Sequence, residues 1–554
     1  MTVVKRCSVL LFSLSLVLGQ GSLLLVGGGG EDYNDWSDLP YAWFVEQADS
    51  GIVINIDVSS TASWYPSYFQ SFGADPASQS LQIITRAMAD DPTTADLLRT
   101  ASGIFIEGGD QWDYVETWAG TLAEQAIIDV FNAGGVIGGT SAGLAVLGQV
   151  DFSAEYGSII APEALDNPCR LDMALSEALL PLLPDVITDS HFHSRGRLGR
   201  LIPMLARWEH ETGTWLTGLG IADNTAACVD AQGVMTVYGE GSVSVLYAQP
   251  GITHNVDCSD TQPLELTSLG MDQLIHGSVY NLNSKTLLDG GGTLLPVTPN
   301  TAPVTYQSLS LDGSSDLTAE QGAYQVNNLS GNLAAWRGNL SLNAVTGNLP
   351  GTVIMPRIWH EYDEYENRLV GVLWAIGQYP GLTGLLMDTD ATATVNSNGI
   401  LTPTGQVWVF NSRELTHAGF PDDHSTCYGG FIGMQIHILN EDVPYDLSSG
   451  HPLSIENSHR QIPDEYDLIS YPNPFNPSTT IFYQLPHTSG VVVRVFDLEG
   501  RFVRTLISKE QVAGNYQVRW DGMTENGKEV VSGIYFCLLQ TRDGNESIKL
   551  VLMK

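Results

Sequence analysis

The stretch Ala133–Gly148, AGGVIGGTSAGLAVLG, decides how the first half of the chain is read. An apolar run ends at Ile137, two glycines follow, and Thr140-Ser141-Ala142-Gly143 leads into a segment rich in alanine and leucine. That order predicts a buried strand, a tight turn and a helix. Gly139-Thr140-Ser141-Ala142-Gly143 fits G-x-S-x-G, the nucleophile elbow. Its glycines let backbone pass close by, and the serine oxygen is lifted above the end of a sheet. The start of the following helix and the Ala142 N–H favour an anion forming there. A glycine turn holding a spectator serine has the same pattern, so the neighbouring segments must decide between the two.

Working outward, SLLLVGGGG, GIVINIDVSS, LQIITRA, GIFIEGGD, GGVIGGTSAG and DVITDSHF each read as a buried strand ending in glycine or polar residues. Segments such as TLAEQAIIDVFNA between them carry apolar residues at helical spacing. Strand alternating with helix predicts an α/β fold of flavodoxin-like type, a parallel sheet with helices on both faces. Functional loops then gather at the carboxyl ends of the strands.

Two of those loops carry chemistry. In GIFIEGGDQWDY, the turn Gly108-Gly109-Asp110 can aim backbone N–H groups at a developing oxyanion, and Gln111 offers an amide to substrate. DVITDSHFHSRGRLGRL crowds Asp189, His191, His193, Arg195, Arg197 and Arg200 together in a chain with only 24 basic residues. His191, at a strand end, is the candidate base, and His193 reads as a loop residue. Leu198, Leu201, Ile202 and Leu205 form the buried stripe of a helix, which predicts that Arg197 and Arg200 point away from the core. Arginine grips a carboxylate with two parallel hydrogen bonds, so Gln111, Asp189, Arg195, Arg197 and Arg200 are the expected substrate-binding set.

Taken together, LLLVGGGGED, GIFIEGGDQ, GGVIGGTSAG, HFHSRGRLGRL, GLGIADNTA and GEGSVSVL resemble the cyanophycinases and aspartyl dipeptidases. These are serine peptidases on the class I glutamine-amidotransferase-like fold. The resemblance runs over residues 21–282. It implies Ser141 as nucleophile, His191 as general base, and an acid at Asp223, where the family pattern has glutamate. It also implies an oxyanion site built from the Ala142 N–H and the backbone of Gly109 and Asp110. The order Ser…His…acid differs from that of α/β-hydrolases and argues against a lipase or esterase. Relatives that move glutamine ammonia carry cysteine at the elbow, so serine implies hydrolysis. The implied substrate is an aspartate-rich or β-aspartyl peptide, cyanophycin-like polymers included. One departure bears on that substrate: the family's glutamine before the histidine is Ser190 here.

The rest of the chain reads differently. Residues 283–348 are rich in Pro, Thr, Ser, Asn and Gly and predict a β-rich connector. LTGLLMDTDATATVNSNGI, from Leu382, aligns without gaps to LTGLGIADNTAACVDAQGV, from Leu216. Residues 349–447 are therefore expected to be a degenerate partial repeat of the first domain, without an elbow and with Thr389 at the position of Asp223. That copy is expected to be inert. Its His360, Glu361, Asp363 and Glu364 read as a hydrated acidic loop rather than a metal site, and no cofactor is called for. After a linker at 448–465, residues 466–554 alternate short strands with turns and predict a β-sandwich. YPNPFNP, the WDG turn, SGIYF and the terminal KLVLMK resemble the sorting modules of type IX secretion substrates and the Ig-like domain of flagellar hook-capping proteins. That resemblance implies an address read by the secretion machinery at a Gram-negative-like cell surface.

Bulk properties agree. The net charge of −38 excludes a nucleic-acid binder, which needs a positive face. Residues 1–20, with Lys5 and Arg6 before an apolar run, read as a secretory signal peptide. No later apolar run is long enough to cross a bilayer as a helix. Cys169, Cys228, Cys258, Cys427 and Cys537 would remain after its removal, an odd number with no spacing that assigns a pairing. A homodimer stays open as an expectation.

Overall fold

The computed structural model describes residues 21–552 apart from 60–62, 260–261, 328–340, 346, 358, 361–362, 368, 421–428, 442, 454–466, 472–474, 476–478, 486–488, 512–513, 526–527 and 543. The expected signal peptide lies outside the described residues, as do Cys427, Glu361 and the side chains of His360, Asp363 and Glu364. The chain divides into two compact units, Met1–Leu453 and Ser454–Lys554.

In the first unit, β1 (Ser22–Val26), β2 (Val53–Asp57), β3 (Gln79–Gln82), β4 (Gly103–Ile106) and β5 (Val136–Thr140) pair in parallel in the order β1-β5-β4-β2-β3. All but β3 are buried along their whole length. Helices cover both faces, with Tyr41, Phe44 and Phe69 on one side and Trp118, Ala126 and Ile127 on the other. This is the α/β architecture read from the alternation of apolar runs. LQIITRA departs from its reading: β3 begins earlier and is partly exposed, because it is the sheet edge and only one neighbour covers it.

The chain then moves between two sheets. β6 (Val150–Phe152), β7 (Leu175–Glu177), β8 (Val186–Asp189) and β9 (Thr217–Ile221) enter a second sheet. β10 (Thr225–Val229) and β11 (Val234–Gly239) return to extend the first, with β10 antiparallel to β1. β12 (Ser242–His254) and β13 (Leu266–Ile275) form a long hairpin in the second, and β14 (Ser278–Asn281) and β15 (Thr286–Gly290) close the first. The strand ahead of His191 thus belongs to the second sheet rather than lying beside β5. The candidate site forms where the ends of the two sheets meet.

Strand pairings in the segment expected to be a partial repeat follow those of the first domain. Thr352–Pro356 pairs in parallel with Thr383–Met387 as β8 does with β9. Thr392–Val395 pairs with Ile400–Thr404 as β10 does with β11. The copy also reaches back into the connector, where Leu309–Asp312 pairs with Thr392–Val395 as β1 does with β10. Gly313 then repeats Gly27: its N–H bonds Ala391 O at 2.8 Å, as that of Gly27 bonds Thr225 O at 3.0 Å. Between these anchors the described residues of the copy hold nothing matching β2–β5, and no elbow stands among them. At the counterpart of His191, read from the strand pairings, stands Arg357, and the backbone there keeps the left-handed conformation, φ 55° against 46°.

The second unit has three strands in one antiparallel sheet, Asp467–Tyr471, Thr479–Leu485 and Gly514–Trp520. Four more make a second sheet, ordered Phe502–Gln511, Ser489–Asp497, Gly533–Gln540 and Asn545–Leu552. Alternating residues such as Val491, Val493 and Val495 turn inward on Trp520 and Tyr483, as a sandwich requires.

Among the described residues, the disulfide Cys169–Cys258 ties the segment before β7 to the β12–β13 hairpin, while Cys228 and Cys537 are buried free thiols. Asp151 on β6 is 1% exposed; one oxygen accepts the Leu179 N–H at 2.8 Å and the other has no partner. Burial pushes its carboxyl well above the usual range, against the smaller opposing effect of that N–H. A group with a raised folded pKa stabilises the fold below its unfolded pKa and loses that contribution as pH rises through the folded value. Asp151→Asn is therefore expected to lose less thermal stability than wild type between about pH 5 and about pH 8. Calorimetry across that range checks it, and parallel curves for the two proteins would contradict it.

Candidate active site

The site is organised by consecutive carbonyls at the end of β1. Val26 O accepts the Ser141 N–H at 3.0 Å, Gly27 O accepts that of His191 at 2.7 Å, and Gly28 O accepts that of Asn224 at 2.8 Å. Ser141 follows β5, His191 follows β8, and Asp223-Asn224 joins β9 to β10. Elements far apart in sequence thus take their position from the same few peptide groups. Ser141, His191 and Asn224 all have positive φ, at 54°, 46° and 51°. Strain of this kind persists only where the surroundings impose it.

At the elbow, a Cβ on Gly139 would stand 2.2 Å from Gly143 O, and one on Gly143 would stand 2.3 Å from Ile106 O. Only glycine fits at either position. The helix that follows is shorter than the sequence pattern predicts, a single turn over Ala142–Ala145. Stabilisation of an anion there therefore falls to individual N–H groups rather than to a helix dipole. The expected oxyanion residues Gly109 and Asp110 lie in the turn after β4. Their N–H groups have no acceptor among the described residues. The turn is held from behind by Tyr114, whose hydroxyl donates to Glu107 O at 2.9 Å and lies 3.3 Å from Gly108 O. A Cβ on Gly108 would lie 3.4 Å from Ser141 Cβ, so the turn sits directly against the serine.

Ser141 Oγ is 2.8 Å from His191 Nε2, and His191 Nδ1 is hydrogen-bonded to Asp223 Oδ1. Aspartate spans the gap despite its shorter side chain, because the Asn224–Gly28 bond draws its loop onto β1. Burial alone would raise the Asp223 carboxyl. Hydrogen bonds from His191 and Ser194, with the charges of His191 and Arg195, hold it below its ordinary value instead. It is therefore ionised and orients the imidazole.

The arginine readings separate. Arg195 is exposed, and its guanidinium makes no hydrogen bond among the described residues. Arg197 and Arg200 do not face a substrate. Arg200 is 3% exposed, bonds both oxygens of Asp189 at 2.8 and 2.6 Å, and lies 4.9 Å from the Phe152 ring centroid. Arg197 Nη1 bonds Asp189 Oδ1 at 3.0 Å and Ser190 O at 2.8 Å. Asp189, itself 4% exposed, needs both charges. Burial would raise its pKa, and Arg200 and Arg197 overcome that and lower it. The triplet is a structural brace under the His191 loop, so Asp189, Arg197 and Arg200 leave the substrate-binding set. Gln111 spends its amide nitrogen on Phe152 O at 3.1 Å, leaving its oxygen available. His193 is buried against Ser242 Oγ at 2.8 Å, and burial takes it down to about 4, so it stays neutral.

Sequence reading did not single out Glu31. It accepts from Tyr41 Oη at 2.9 Å and Thr140 Oγ1 at 3.3 Å, and burial raises its carboxyl beside the elbow. The run GGGGED after β1 was the available signal.

A serine hydroxyl, an imidazole and a carboxylate in hydrogen-bonded series, where the ends of the two sheets meet, define the site of a serine hydrolase. Comparison with known proteins narrows the class. Residues 54–237 match the model of peptidase family S51, and residues 476–544 match the FlgD Ig-like domain. A cyanophycinase of Trichormus variabilis is 30% identical over 278 residues, covering 48% of this chain and 87% of the relative. A cyanophycinase of Synechococcus elongatus is 34% identical over 201 residues, covering 36% and 58%. Among solved structures, a peptidase from an acI-B1 Actinobacterium is 20% identical over 48% of this chain and 98% of its own, with TM-score 0.33. The chain belongs to peptidase family S51 and is a serine-type peptidase.

Gly28 tests the geometry. Its φ is 108°, and a Cβ there would stand 2.3 Å from His191 Cε1. Gly28→Ala is expected to displace the imidazole and lower kcat about 100-fold, with the far-ultraviolet spectrum unchanged. Unaltered turnover would contradict the placement of His191.

Proposed function

We propose that the protein is an exported exopeptidase that hydrolyses aspartate-rich or β-aspartyl peptides, cyanophycin-like polymers included, through Ser141, His191 and Asp223. The observation that carries this reading is the continuous hydrogen-bonded line from Ser141 Oγ through the His191 ring to Asp223. His191 Nε2 takes the Ser141 proton as the oxygen attacks the peptide carbonyl, while Asp223 holds the Nδ1–H and stabilises the imidazolium. The oxyanion is received by the Ala142 N–H and the free N–H groups of Gly109 and Asp110. His191 returns the proton to the leaving amine, and water, activated by the same nitrogen, releases the acyl group. Arg195, near Asp223 and without a hydrogen bond among the described residues, suits a substrate carboxylate. Of the arginines that the sequence pattern offered for substrate carboxylates, it alone makes no hydrogen bond among the described residues.

Ser141→Ala is expected to abolish fluorophosphonate labelling and to lower kcat by about 10³-fold or more. Arg195→Ala is expected to raise KM for β-aspartyl dipeptides about tenfold or more with less change in kcat. Labelling that survives Ser141→Ala rejects the mechanism. Absence of labelling and turnover in the wild type favours a binding protein that retains the fold.

Export is supported by the leader reading and by the Cys169–Cys258 disulfide, a bond that persists in oxidising compartments. The Ig-like unit is proposed as the address read by a type IX machinery. Removing residues 454–554 is expected to strand the peptidase inside producing cells. Fractionation checks this, and unchanged surface activity rejects it.

A further inference from the structure

β13 is an inner strand only because the second copy lies beside it. It pairs antiparallel with Gly430–Leu439, placing Met271 opposite Met434, the residue with which it aligns in sequence. Outward from this seam the strands repeat in mirrored order: β13, β12, β9 and β8 on one side, and Gly430–Leu439, Val407–Asn411, Thr383–Met387 and Thr352–Pro356 on the other. Equivalent strands meeting antiparallel around equivalent residues is the geometry of an isologous two-fold dimer. Here it is written within one polypeptide.

The seam is built as a permanent interface. Leu266, Leu269 and Met271 share one core with Phe431, Met434, Ile436 and Ile438. Buried polar groups fix the register. Asp272 Oδ1 accepts the Gly433 N–H at 2.7 Å, His437 Nδ1 accepts the Ser268 N–H at 3.1 Å, and Gln435 Nε2 donates to Gln249 Oε1 at 3.0 Å. These ties are not symmetric. Gly433 offers its N–H from a bulge with φ 93°, whereas its aligned residue Gly270 is an ordinary ladder position. Asp272 is 0% exposed. If β13 paired with β13 of a second chain, each Asp272 would lose that donor and two buried carboxyls would face the same seam, which is costly. The edge suits the degenerate copy and disfavours self-association.

We propose that the second copy acts as a built-in, non-catalytic partner subunit: it occupies the surface a second chain would use on β13, so the protein is a monomer with one site per chain. Sedimentation of the full-length protein is expected to give one species near the 59.9 kDa of a single chain up to about 100 µM. Cysteine pairing reads the seam directly, because a residue at the two-fold would meet its own copy only in a homodimer. Under mild oxidation, Met271→Cys with Met434→Cys is expected to cross-link within the chain, and Met271→Cys alone to give no covalent dimer beyond the wild-type background. A sedimenting wild-type dimer, or covalent dimers from Met271→Cys alone, overturns the proposal. The wild-type measurement stands even if a cysteine variant fails to fold.

Discussion

The carbonyls of Val26, Gly27 and Gly28 are the constraint on which the candidate site depends. Each accepts one backbone N–H, and the donors are Ser141, His191 and Asn224. The backbone of nucleophile and base, and of the loop that carries the acid, is therefore not positioned by the side-chain contacts alone, which could slip as a set. It is referenced to the end of one buried strand, β1, held between β5 and β10. The cost is three residues in left-handed backbone, and glycines wherever chain must pass within van der Waals distance. Beneath them, Asp189 and its two arginines brace the loop that carries His191, which explains why so much charge lies near the site without facing it.

The degenerate copy shows which parts of this arrangement are scaffold. Gly313 keeps the close approach of Gly27: a Cβ on either would stand about 2 Å from the aligned carbonyls, Asp388 O at 1.9 Å and Ala222 O at 2.0 Å. Arg357 keeps the backbone corner of His191 with a side chain that bonds Ser314 O. The left-handed corner has outlived its imidazole. Fold and chemistry are separable here: the copy retains the strands that build the second sheet and its seam, together with the pairings that answer to β1, β10 and β11.

The sequence shows the parallel sheet and the elbow clearly, because buried strands ending in glycine are a strong local signal, and Ser141 and His191 stand where that signal ends. Asp223 is identified only through resemblance, since one acid among 62 carries no spacing of its own. The arginines mislead for a physical reason. A helical stripe tells which face of Leu198–Thr212 is buried, but not that a buried aspartate on β8 draws Arg200 into that face. Leu309–Asp312 goes unnoticed as the repeat of β1, because backbone pairing and one glycine hold it in place with little shared side-chain identity. Register between distant strands is a property of the folded sheet, and local composition does not encode it.

A seam of the kind formed by Met271 and Met434 ordinarily answers to mass action: it comes apart when subunits are scarce. Joined through the peptide chain, its two halves never separate far enough to lose each other, and their pairing is independent of how much protein is present. The geometry at the end of β1 would then be as sound in a single isolated molecule as in a crowded solution.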